Sequence, residues 1–130
     1  MRYVSTRGGG TTAGFSDILL GGLMEDGGLA VPAAYPQVSG ADLTAWRGLD
    51  YRDLAFEILR RYADDIAASA LKGMIDRTYT AAAFQSDEIT PVRQLQRGVY
   101  VLELSRGPTL AFKDVAMQLL GNLFEHALGT

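Results

Sequence analysis

Residues 99–114 read VYVLELSRGPTLAFKD, and a change of rhythm inside this stretch decides the fold. Val99 and Val101 on one side, and Tyr100, Leu102 and Leu104 on the other, give an extended segment with apolar side chains on both faces. A strand buried on both faces belongs inside a larger sheet. Gly107-Pro108-Thr109 then break the strand. Beyond them Phe112, Ala116, Leu119, Leu120, Leu123, Phe124 and Ala127 recur at helical intervals, which predicts a helix from about Leu110 to Ala127.

That register places Lys113 and Asp114 in the first turn of the helix. The helix dipole disfavours an ammonium there by roughly 0.3–1 kcal/mol. Together with burial, the same repulsion favours the neutral amine that condenses with an aldehyde. The same residues also admit a simpler reading, an exposed lysine paired with Asp114 or another carboxylate.

Upstream of this unit, Ile89–Leu95 and Val99–Leu104 flank Gly98 and predict a hairpin. Earlier still, Tyr3–Thr6 and Leu29–Pro32 read as short strands. Gly8-Gly9-Gly10 lacks the Lys-Ser or Lys-Thr that a phosphate loop requires, so it reads as a turn. Ser16 is expected to cap a helix through Met24. Ser39 with Asp42, and Asp50 with Asp53, have the spacing of capped helix starts. Leu54, Ile58 and Tyr62, beside Ala55 and Leu59, predict one apolar stripe on the second of these helices. A further helix is expected over residues 67–78, and Arg60, Arg61, Asp64 and Asp65 read as a solvated face.

The 130 residues are 48% hydrophobic and 21% charged, which fits a globular protein and excludes a disordered tail. Fifteen acidic against twelve basic side chains leave a net charge of −3, so there is no electrostatic excess to hold nucleic acid. The absence of cysteine excludes disulfides and thiolate chemistry and agrees with a cytoplasmic location. No apolar run reaches the length of a membrane span, and the first residues lack the core of a signal peptide.

Residues 107–114 resemble the lysine segment of the threonine synthases, pyridoxal-phosphate enzymes of the tryptophan-synthase-β-like fold, fold type II. The opening is similar to that family too, in Tyr3-Val4-Ser5-Thr6-Arg7-Gly8, Phe15-Ser16-Asp17, Gly21-Gly22-Leu23 and Asp26-Gly27-Gly28-Leu29-Ala30-Val31-Pro32. The resemblance implies conversion of O-phospho-L-homoserine and water to L-threonine and phosphate. Lys113 would hold pyridoxal 5'-phosphate as a Schiff base and move protons among the substrate carbons. Phe112, Thr109 and Asp114 would be cofactor-binding neighbours. The family commonly has Phe-His before Gly-Pro-Thr where this chain has Ser105-Arg106, a departure at which Arg106 could meet a phosphate. The one histidine, His126, reads as a helix-end or surface residue.

The fold expected on this basis is an α+β amino-terminal domain over residues 1–82, with a small sheet from the early strands and the hairpin packed against helices. Residues 83–130 would be the first strand and helix of an α/β catalytic domain, ending before the family's Ser/Thr/Gly-rich phosphate loop. Such a piece is expected to be inactive alone, to expose an apolar patch and to self-associate. A partner-binding module or pseudo-enzyme, and another fold type II enzyme acting on a β- or γ-substituted amino acid, are the alternatives.

Overall fold

In the computed structural model, which describes residues 1–129, the chain is an α+β assembly of ten elements. Strand β1 (Tyr3–Ser5) pairs antiparallel with β2 (Ala30–Pro32), placing Tyr3 opposite Pro32 and Ser5 opposite Ala30. Between them lies α1 (Phe15–Gly21). Helices α2 (Gly40–Trp46), α3 (Tyr51–Leu59), α4 (Ala68–Thr78) and the short α5 (Ala81–Phe84) follow. Strands β3 (Val92–Gln96) and β4 (Val99–Leu102) form the hairpin, and α6 (Asp114–Gly129) ends the described chain.

Local chemistry explains most of the helix starts. Ser39 accepts from the Asp42 amide while Asp42 reaches back to the Ser39 amide, a complete capping box. Asp50 accepts from the Asp53 amide at 2.9 Å and opens α3. Helix α1 differs from expectation. It begins at Phe15 behind Gly14, the Asp17 carboxylate accepts the Gly14 amide, and the Ser16 amide donates to distant Asp65. Ser16 therefore lies inside the first turn and does not cap it.

The core is built on α4, which buries Leu71, Met74, Ile75 and Thr78 at intervals of three and four residues. Ala63, Ile66, Tyr79, Phe84, Ile89 and, from α6, Leu119 and Leu123 complete one cluster. Residues on both sides of position 82 share it. On α3 Ala55 and Leu59 of the predicted stripe pack against the cluster, joined by Tyr51 and Phe56, so the packed face is rotated away from Leu54 and Ile58. Leu54, Ile58 and Tyr62 instead line a shallow groove with Trp46 and Arg61. The charges beyond α3 do more than face solvent. Arg61 donates to Asp42 at 2.9 Å and stacks over Trp46, and Asp64 pairs with the chain's amino terminus.

The hairpin stands as a separate two-stranded sheet and does not join β1 and β2. Gly98, at φ 79°, makes its turn, and the register slips between Gln94 and Gln96. Every residue of β3 and β4 is exposed, so the two-sided burial expected for residues 99–104 is not met within this chain. Two faces of one hairpin need two covering layers, and none of the described elements lies on either.

Candidate functional site

Helix α6 starts at Asp114, four residues later than periodicity suggests. Leu110 adopts left-handed φ 58°, which no α-helix accommodates, and residues 107–113 fold into consecutive turns. The Leu110 amide donates to the Gly107 carbonyl at 3.0 Å, and the Asp114 amide to Ala111 at 3.0 Å. Lys113 is thus the residue immediately before the helix. Its carbonyl accepts the first helical bond from Met117 at 2.8 Å, together with one from Ala116.

The Lys113 side chain is exposed, and among the described residues no carboxylate pairs with it. Both halves of the simpler reading are therefore separable: the lysine is exposed, but it is not ion-paired. The burial part of the helix-start argument does not apply within this chain. The chain's other primary amines are engaged. Lys72 pairs with Asp53 at 3.1 Å and Asp76 at 2.5 Å, and the hydrogen bond to the Asp76 carboxylate leads in holding it protonated above the ordinary lysine range. The amino terminus pairs with Asp64.

Asp114 behaves differently from its neighbour. It is 3% exposed, and its carboxylate accepts from the Thr109 amide at 2.8 Å, the Thr109 hydroxyl at 2.9 Å and the Gln118 amide at 3.3 Å. Burial pushes its carboxyl up, but these donors outweigh burial and hold it below the ordinary aspartate value. Gly107 is buried against it: a Cβ there would overlap the Asp114 Cβ and sit 2.6 Å from Oδ2. Thr109 spends its hydroxyl and amide on Asp114, whereas Phe112 is 65% exposed beside Lys113. Arg106 is bound to Glu103, which Arg93 also reaches at 3.0 Å. His126 lies in the last turns of α6.

A second polar centre escaped sequence reading. The Asp26 carboxylate accepts from the Ser5 hydroxyl at 2.6 Å and from the Gly28 and Gly9 amides, and its carbonyl accepts from Arg7. It joins the two opening motifs across β1 and β2. The only signal in the sequence was an aspartate among glycines. Among the described residues no cluster of His, Asp and Glu suits a metal ion, and no helix is long and apolar enough to cross a membrane.

A sequence profile described as "Threonine synthase N terminus" matches residues 2–79. The chain belongs to the threonine synthase N-terminus family. It is 53% identical to the threonine synthase of Methylobacillus glycogenes and 50% identical to that of Corynebacterium glutamicum, each over 98% of this chain and 28% of the relative. Among solved structures it is similar to a "PLP bound Threonine synthase" from Brucella melitensis, with a TM-score of 0.94 and 43% identity. That likeness covers 99% of this chain and 28% of the other. The chain therefore spans little more than a quarter of the threonine synthases it matches. That profile ends at Tyr79, whereas the likeness to the Methylobacillus glycogenes threonine synthase covers 98% of this chain.

Proposed function

We propose that this chain is the amino-terminal portion of a threonine synthase, converting O-phospho-L-homoserine and water to L-threonine and phosphate, and that Lys113 is the residue that carries pyridoxal phosphate. One observation supports the lysine above all: of the primary amines described, Lys113 alone is accessible and outside a carboxylate pair. An amine locked in an ion pair must break it before it can attack an aldehyde. The residues present fit the cofactor, since Phe112, the sequence neighbour of Lys113, is an exposed aromatic residue that would offer an apolar surface to a pyridine ring.

When bound, the cofactor supplies an electron sink for carbanionic character on the substrate. In this reading Lys113 would hold the cofactor through its amine, and that amine, once free, would move protons among the substrate carbons. Phe112 would offer its exposed ring to the cofactor. Thr109 and Asp114 shape the turn from which the lysine leaves. The division at residues 82 and 83 separates the amino-terminal domain from the start of the catalytic domain. A cysteine-free chain is in keeping with a cytoplasmic site of action.

The test is borohydride reduction of the protein expressed from its gene, after incubation with pyridoxal phosphate, followed by peptide mass mapping. The adduct is expected on the peptide containing Lys113, and Lys113→Ala is expected to abolish threonine formation from O-phospho-L-homoserine. An adduct centred on Lys72, or an undiminished Lys113→Ala enzyme, overturns the proposal.

A further inference from the structure

We infer that Asp114 is a positioning residue for Lys113: its buried carboxylate clamps Thr109 and thereby fixes the turn that delivers the lysine. The inference rests on the reading of Lys113 as the cofactor-bearing amine. It starts from where the Asp114 acceptors point. Two of its donors belong to Thr109, five residues upstream, and another to Gln118, one turn downstream, with the Ala111 amide adding a weaker bond. Lys113 lies between these two anchors.

The enclosed segment has no other brace of comparable reach. Its turns are closed by the short backbone bonds at Gly107–Leu110 and Ala111–Asp114, and Leu110 is held in a left-handed conformation that leucine rarely adopts. Such a conformation persists only where the surroundings over-determine it. Here the surroundings are the Thr109–Asp114 clamp and the close approach of Gly107 to the same aspartate. Without the carboxylate, the Thr109 amide and hydroxyl lose their acceptors, and Leu110 relaxes toward extended backbone. The rest of α6 has its own anchorage, with Leu119 and Leu123 in the core and Asn122 donating to Thr78. The displacement is therefore local to the residues around Lys113.

Direct contact between Asp114 and the cofactor is the competing role. It is disfavoured because the carboxylate is 3% exposed and its oxygens are filled by chain donors. An ion pair with Lys113 is likewise absent, so Asp114 acts on the lysine through the backbone.

The test compares wild type, Asp114→Ala, Asp114→Asn and Thr109→Val in the protein expressed from its gene. The readouts are the borohydride-trapped cofactor on Lys113 relative to Lys72, and hydrogen exchange at the Thr109 amide, under conditions where far-UV circular dichroism is unchanged. Misplacing a reacting group by about an ångström costs up to about a hundredfold. Asp114→Ala is accordingly expected to lower the Lys113 to Lys72 ratio about tenfold and to deprotect Thr109. Asparagine retains an acceptor for the Thr109 amide and should restore most of both. Thr109→Val, which removes one donor from an exposed residue, should lower the ratio less and stands in if Asp114→Ala does not fold. An unchanged ratio in a folded variant overturns the inference, because a role confined to stability moves the melting temperature and leaves the ratio alone. A wild-type protein that never favours Lys113 overturns the underlying assignment, and the inference with it.

Discussion

The Tyr79 hydroxyl donates a 2.7 Å hydrogen bond to the main-chain carbonyl of Val115, tying the end of α4 to the first turn of the helix that follows Lys113. Tyr79 is buried, packs edge-on against Tyr51 with ring centroids 4.9 Å apart, and lies 5.6 Å from Phe84. Burial raises its phenol well above the ordinary tyrosine value, so it remains a donor at any physiological pH. Tyr79→Phe keeps the ring packing and removes only the hydroxyl. It is expected to cost about 1 kcal/mol, read from the midpoint of urea unfolding.

Phe84 sits on the four-residue helix α5 yet is completely buried, in contact with the cluster built on α4 and α6. Truncation leaves a cavity that such a short element cannot collapse around. Phe84→Ala is expected to destabilise the protein by about 3–5 kcal/mol. A loss under 1 kcal/mol by calorimetry would show that the cluster is not closely packed there.

Gly107 meets Asp114 too closely for any side chain. Gly107→Ala forces the turn away from the carboxylate and is expected to cost about 1–3 kcal/mol. The same change should expose the Thr109 amide to exchange. If Gly107→Ala melts like wild type, the close approach of Gly107 and Asp114 is not a constraint.

Acid should weaken the fold through a defined set of carboxylates. Asp26 is held below the ordinary aspartate value first by the Ser5 hydroxyl and then by the Gly28 amide, and Asp42 first by the Ser39 amide. Asp114 joins them, its donors overcoming the effect of burial. Groups with depressed folded-state values contribute stability that is fully present above the unfolded value, about 4, and is lost as pH falls through the folded values. Melting temperature is therefore expected to hold from pH 7 to 5 and fall below about 4. Asp26→Asn should flatten that fall.

The alkaline edge follows from Tyr3. Its hydroxyl donates to the Tyr62 carbonyl at 2.9 Å, and burial, then Asp64 and Asp65, push its value up to about 12. Its contribution is complete below about 10 and is lost as pH climbs through about 12. Tyr3→Phe should be less sensitive over that window in an unfolding titration.

What could be read from the sequence was what neighbours within four residues decide. The caps at Ser39 and Asp50, the glycine turn at Gly98 and the helical period of α4 are of that kind. The start of α6 was misplaced because the pattern of apolar residues continues back through Phe112, while the Asp114 grip on Thr109 bends the backbone out of the helix. Ser16 failed as a cap for a similar reason, its amide being taken by Asp65 from 49 residues away. Lys113 was singled out by its place near a helix start together with the resemblance of residues 107–114, whereas its freedom from ion pairing, and the engagement of Lys72, depend on distances that no spacing rule contains. Asp26 stood in a glycine-rich turn, and only the pairing of β1 with β2 brought Ser5 and Gly9 to it.

The bonds from Asn122 to Thr78 and from Arg77 to Asn122 have a bearing on how the chain emerges during synthesis. Helix α4 finds some of its partners more than forty residues downstream, so the side of its cluster that Leu119 and Leu123 cover stays open on the nascent chain until α6 has left the ribosome. At roughly 5–20 residues per second, that is a wait of a few seconds. The cluster can close completely only once Lys113 has already been translated.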